Sequence, residues 1–285
     1  LRDSFGFQDP EITLEANPDD VTEALAHAWA EAGINRVSLG VQSFNDAALQ
    51  YLGRRHDAAA ALRACQIVSN QYENWGMDLI FGAKPVETWE ETLKTCKSLK
   101  PKHVSAYGLT YEAGTPFGAR SDETVCDSKW LELFRQTERA LERFQHYEIS
   151  NYAHPGFRCR HNLIYWHNEE YVGFGLGAYS FLGGIRSRNT TDLERYLHKP
   201  GIRDEELHLS DREIRVETVI QHLRLKEGLA KADYLSRFGS EIKTDFSTAI
   251  DVLIRRGLVA ENEEALYPTA QGFELNNEMG LALVD

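Results

Sequence analysis

Apolar residues in the first half of this 285-residue chain alternate between two periods, and the alternation repeats. Ile12 to Glu15, Ile34 to Val41, Met77 to Phe81 and His103 to Leu109 read as strands. Between them a helical spacing recurs at Val21, Leu25, Ala28, Trp29 and Ala32, then at Ala58, Ala61, Leu62 and Cys65, then at Trp89, Leu93 and Cys96. A strand-helix repeat of about 30–40 residues predicts βα units around a parallel sheet, closed or partly closed into a barrel. Pro18 ends the first strand, Asp19 or Asp20 is expected to cap the helix after it, and Gly33 supplies its left-handed stop. Val37, Leu39 and Val41 fall on one face of the second strand. A longer helix, capped by Asp127 or Ser128, leads to a last strand at Tyr147 to Ser150.

Length points the same way. A chain of 285 residues exceeds the usual single core unless that core is an α/β barrel, so a barrel-like domain and a small second one are expected. The alternation ends after Asp211. Helical patterns at Val216 to Leu223, Ala232 to Phe238 and Thr248 to Arg256, a hairpin from Leu258 to Pro268 and a final helix started by Thr269 resemble a winged-helix module. The expected division is 1–205 and 206–285. A winged helix suggests DNA, but residues 231–285 hold five Lys/Arg against ten Asp/Glu, and the whole chain carries a formal charge of −13. A phosphate-backbone binder needs a basic face to release counterions, so no nucleic-acid partner is expected.

Four cysteines, Cys65, Cys96, Cys126 and Cys159, lie about thirty residues apart with no close pair, which supports neither zinc nor a cluster loop. They read as free, mostly buried thiols, with a reducing compartment a weak consequence. No apolar run approaches bilayer length, so the chain as given reads as soluble.

Working groups in parallel barrels sit at the C-terminal ends of strands. Glu15, Gln42, Asp78, Tyr107 and Asn151 occupy such ends. A carboxylate accepts from a ribose diol, an amide donates and accepts, and the Arg54 guanidinium forks onto a carboxylate. Together Glu15, Gln42, Arg54 and Asp78 suit a small zwitterionic nucleoside. Taken singly, Asp78 also reads as a turn or strand-end cap and Arg54 as an ion pair with Asp57 or Glu31. The segment Tyr147 to His167 holds three histidines, three tyrosines, a tryptophan, a phenylalanine and two arginines. His161 and Tyr165, four apart, share a face; an imidazole there can ligate iron while rings cover a macrocycle and Arg158 or Arg160 meets its carboxylates. A histidine bonded within an aromatic core is the alternative. The glycine-rich Gly173 to Ser180 follows no strand and opens no amphipathic helix, so it reads as close backbone packing rather than a phosphate loop.

The motifs Leu14-Glu-Ala-Asn-Pro18, Gly40-Val-Gln-Ser-Phe44, Leu52-Gly-Arg-Arg-His56, Tyr147-Glu-Ile-Ser-Asn-Tyr-Ala153 and Cys159-Arg-His-Asn-Leu-Ile-Tyr-Trp166 resemble the radical S-adenosylmethionine family of oxygen-independent coproporphyrinogen oxidase relatives, most of all its haem chaperone branch. The resemblance implies an α/β fold, a partial (β/α) barrel of the radical SAM type with a small C-terminal winged-helix-like helical domain. It implies S-adenosylmethionine, a [4Fe-4S] cluster and haem as cofactors. Glu15 and Gln42 match positions at the cofactor's ribose end, Arg54 the arginine on its methionine carboxylate, Asp78 a further cofactor-side carboxylate, and His161, with Tyr165, the proposed haem ligand.

Three departures accompany the match. The three-cysteine cluster loop and the GGGTP strand end are absent from this sequence, so as written the chain is expected not to hold the cluster. The segment Gly82 to Thr88 differs from the family's Gly-Leu-Pro-Gly-Gln-Thr, and Tyr179 stands where a histidine is expected. The resemblance implies a cytoplasmic haem chaperone with haem and a haem-acceptor protein as partners, membrane association through a partner and a homodimer being open alternatives. Radical decarboxylation of porphyrinogen propionates is the competing activity, and a winged-helix regulator the competing class.

Overall fold

The computed structural model describes Gly6, residues 8–115 and residues 117–284. It forms two compact units, Leu1–Cys159 and Arg160–Asp285.

In the first unit, strands β1 (Thr13–Ala16), β2 (Arg36–Gln42), β3 (Trp75–Phe81) and β4 (His103–Gly108) run parallel in sequence order. Helices α1 (Glu23–Glu31), α2 (Asp46–Tyr51), α3 (Ala58–Gln71) and α4 (Trp89–Leu99) connect them. The expected βα repeat is therefore present, with the strands ending within two residues of their expected limits. Two further strands, β5 (Gln145–Glu148) and β6 (Asn151–Ala153), follow helix α5 (Asp127–Ala140). The expected single closing strand at Tyr147 to Ser150 is instead a hairpin, with β6 antiparallel to both β4 and β5. Only Ile149 and Ser150 separate the two strands, and so short a link permits an antiparallel return but no parallel crossover.

Two caps differ from expectation. Thr22, not Asp19 or Asp20, caps α1 by accepting from the Leu25 amide at 3.2 Å; the two aspartates are used in a 3₁₀ turn, Pro18–Asp20. Cys126 stands at the N-cap of α5 without a side-chain cap bond, and Asp127 is already helical. Leu25, expected inward, is exposed and Ala26 is buried in its place.

The second unit opens with α6 (Arg160–Trp166), then an antiparallel sheet of β7 (Tyr179–Leu182), β8 (Ile185–Asn189) and β9 (Arg203–His208), with α7 (Leu193–His198) between the last two. The expected boundary at 205/206 would cut β9, which bonds to β8 along its length. Gly173 lies before β7 where an added Cβ would meet the Tyr179 carbonyl at 2.1 Å, the close packing expected of the glycine-rich segment, whereas Gly175 has open space and serves through its φ of 111°.

Helices α8 (Asp211–His222), α9 (Lys231–Phe238) and α10 (Ile242–Arg255), strands β10 (Leu229–Ala230), β11 (Val259–Glu261) and β12 (Ala265–Pro268), and helices α11 (Ala270–Glu274) and α12 (Asn276–Val284) complete the winged-helix-like part. Thr269 caps α11 through the Gly272 amide at 3.0 Å. Helix α10 begins earlier than expected because Ile242 and Phe246 join its buried face. Among the described residues no helix is long and apolar enough to cross a membrane.

Candidate functional site

Successive strand residues point to opposite faces, and register then carries each face across the sheet. Glu15 stands beside Ser38, Ser38 beside Gly76, Asp78 beside Ser105, and Ser105 beside Asn151. Arg36, Gly40, His103 and Tyr107 lie two residues from these and share their face. Val37, Leu39, Val41, Met77, Leu79, Phe81, Val104 and Ala106 take the other and are buried in one apolar core. One face of the parallel sheet is therefore hydrocarbon and the other is made of carboxylates, hydroxyls, a guanidinium and an imidazole.

Asp78 lies in the middle of β3 and not at its end, and it caps no turn. Ser38 Oγ donates to its Oδ1 at 3.2 Å. Burial pushes the Asp78 carboxyl up from its ordinary value, a shift opposed by hydrogen bonds from Ser105 and Ser38; Glu15 adds to the rise and Arg36 opposes it. Tyr107 is raised to about 12, by burial first and then by the charge of Asp78.

Gln42 ends β2 with φ of 66°, a left-handed conformation uncommon for a side chain of this size. Its amide folds back over Gly40, where an added Cβ would lie 3.0 Å from Gln42 Nε2 and 3.6 Å from Asn17 Oδ1. Glycine at 40 is what makes room for the amide.

Arg54, half-buried in the turn after α2, has no ion pair among the described residues. Its expected structural partners are engaged elsewhere: Asp57 caps α3 through the Ala60 amide at 2.7 Å, and Glu31 meets His27 at 3.5 Å. The adjacent Arg55 takes Asp19. A half-buried guanidinium without a carboxylate suits an anionic ligand group.

At the far end of the face, Asn151 Nδ2 donates to Glu148 Oε1, and Asn151 Oδ1 is buried without a partner among the described residues. His103 Nε2 bonds the Tyr147 hydroxyl at 2.8 Å. Burial, and then the charge of Arg36, push the His103 imidazole well below its usual range. Arg36, Ser38, His103 and Ser105 escaped sequence reading, although the alternation Arg-Val-Ser-Leu-Gly-Val-Gln in β2 carried the signal.

In the second unit, His161 and Tyr165 lie on one side of α6, ring centroids 4.9 Å apart at 86°. Tyr165 is itself edge-on to Tyr171 at 4.6 Å. His161 is exposed on this helix. Tyr179, at the position expected to be histidine, lies under the Arg188 guanidinium at 5.8 Å. Arg158 stands over the Tyr147 ring at 5.5 Å within the first unit.

The described residues offer no set of ligands that fits an iron–sulfur cluster. Cys65 and Cys96 are buried in helices, each thiol pushed up to about 12 by burial. Cys126 is exposed and Cys159 buried, and no group of three His, Cys, Asp or Glu among the described residues could hold a metal. The Arg54 guanidinium and the carboxylates of the Asp78 face are the group types that a zwitterionic nucleoside calls for.

Residues 2–105 match the family model of the Radical SAM superfamily, and residues 209–275 that of the HemN C-terminal domain. The chain is 32% identical to a heme chaperone HemW of Lactococcus lactis over 281 residues, covering 94% of this chain and 74% of the relative. It is 33% identical to a heme chaperone HemW of Haemophilus influenzae, covering 98% and 75%. Coproporphyrinogen III oxidase (HemN) from Escherichia coli, at 18% identity, superposes with a TM-score of 0.80 over 96% of this chain and 70% of that one, a likeness of fold. The radical SAM match over the parallel sheet, the HemN-type C-terminal match and identity along nearly the whole chain agree, and the chain belongs to the HemW family of radical SAM proteins.

Proposed function

We propose that this chain is a haem chaperone: it takes up haem as cargo and passes it to an acceptor protein, in the cytoplasm. The observation that carries the reading is the exposed imidazole of His161 on α6, edge-on to Tyr165. Iron needs an accessible ring nitrogen, and a neighbouring aromatic ring fixes the imidazole plane and adds apolar surface for a macrocycle. The heme chaperone names of relatives at 32% and 33% identity support the same reading.

The polar face of the sheet holds S-adenosylmethionine in this proposal. Arg54 meets the methionine carboxylate, Gln42 and Glu15 lie toward the ribose end, and Asp78 is a further carboxylate on the cofactor side. Bound with a reduced [4Fe-4S] cluster, S-adenosylmethionine supplies radical chemistry in the superfamily. The residues of this chain bind and orient it; they supply no cluster ligands that fit.

Titration of the protein with haem, followed by Soret absorbance, tests the cargo reading. One equivalent is expected to bind, and His161→Ala to change the band. An unchanged spectrum would remove His161 as ligand. Conversion of coproporphyrinogen III to protoporphyrinogen IX under anaerobic reduction would replace the chaperone reading with the oxidase one.

A further inference from the structure

Asp78 is flanked on both sides by a buried serine. Ser38 stands on β2 directly opposite Gly76, which offers it no side chain. Its hydroxyl reaches the diagonal neighbour instead and donates to Asp78 Oδ1 at 3.2 Å. Ser105, on β4, is paired in register with Asp78 itself, which puts its hydroxyl where it serves both the Asp78 carboxylate and the Tyr107 hydroxyl. Both serines are almost fully buried, at 5% and 3% exposure. A buried hydroxyl needs a partner, and here the carboxylate serves two.

We propose that Ser38 and Ser105 are positioning residues: they hold the Asp78 carboxylate from the two neighbouring strands, ionised and in one rotamer, so that it can accept from a hydroxyl of a bound nucleoside. The proposal rests on the reading of Asp78 as a cofactor-side carboxylate and adds the groups that make it one. Without donors, a buried carboxyl drifts toward its neutral form, which no longer accepts through both oxygens. Of the other charged groups, Glu15 from β1 works against the ionised form and Arg36 from β2 favours it; Tyr107 from β4 also meets the charge of Asp78, and it feels Glu148 from β5. The two serines thus act on a face where negative groups outnumber positive ones.

The test uses the full chain labelled with ¹³C at aspartate carboxyls, the Asp78 resonance being assigned by its loss in Asp78→Asn. Ser38→Ala and Ser105→Ala are each expected to move the Asp78 titration midpoint to higher pH, and Ser38→Thr, which restores the hydroxyl, to return it. Calorimetry with S-adenosylmethionine and S-adenosylhomocysteine supplies the second readout. Each alanine variant is expected to bind about 3- to 10-fold more weakly near neutral pH, the loss of one hydrogen bond, and to lose binding at a higher pH as the solution is acidified. A midpoint unmoved in both alanine variants would overturn the positioning role. Midpoints that rise while binding stays the same in every variant, Asp78→Asn included, would overturn the cofactor reading of Asp78 and the proposal with it.

Discussion

On β2, Val37, Leu39 and Val41 are sealed in the core with Ala61, Cys65 and Val68, while Arg36, Ser38 and Gln42, alternating with them along the same strand, are polar. The two faces share one backbone and one set of ladder hydrogen bonds, yet one follows the rule for a core and the other does not. A parallel sheet covered by helices on both faces reads as nearly continuous apolar sequence. Here only one face does, and polar groups on the other would be costly unless something meets their hydrogen-bonding needs. The division suggests where stability and ligand binding are separately held.

Core truncation is expected to have the largest effect. Phe81, packed against Trp89 and Trp130 with centroids 5.8 and 5.3 Å away, should cost about 3–5 kcal/mol when changed to alanine, read by urea unfolding. Ser38→Ala, on the polar face of β2, should cost less, about 1.5–3 kcal/mol at most for a hydrogen bond to a charged group, by the same measurement. Similar costs for both would break the contrast between the faces.

Arg54→Ala should leave unfolding nearly unchanged and weaken S-adenosylmethionine binding by about 10- to 100-fold, the range for a charged hydrogen bond. Arg54→Lys should recover only part of it, because an ammonium cannot fork onto a carboxylate. Full binding by the alanine variant would remove Arg54 from the site.

The smallest effect is one of pH. The His103 imidazole is held well below its ordinary 6.5 by burial and by Arg36. The unfolded chain then binds a proton that the folded chain excludes, so stability falls as pH drops below 6.5. His103→Gln, which keeps a polar group for Tyr147, should flatten that part of the stability profile. An identical slope in the variant would place the acid sensitivity elsewhere.

Much of the fold was legible because periodicity reports burial, and the βα units are buried along regular stripes. The winged-helix-like part was legible for the same reason, helped by Gly257 and the Thr269 cap. The hairpin of β5 and β6 was missed because Tyr147 to Ala153 is polar and apolar without clear alternation, and its two-residue turn carries no glycine. Of the candidate site, Gln42, Arg54 and Asp78 came from motif resemblance and strand-end reasoning. The hydroxyls beside Asp78 did not, since a serine gains its role only from register with the neighbouring strand, which is a long-range property. His161 on a helix face was legible from its spacing to Tyr165; its exposure was not, because exposure depends on what packs beside α6.

Asp78→Asn tests the separation of the two faces most directly, with unfolding and S-adenosylmethionine binding measured on the same protein. Burial raises the Asp78 carboxyl, so the folded chain holds its proton to higher pH than the unfolded chain and ionisation near neutral pH works against folding. An uncharged amide should therefore leave stability equal or higher at neutral pH while binding falls sharply. Loss of stability with binding intact would contradict the account, because Asp78 would then belong to the structure and not to a ligand site.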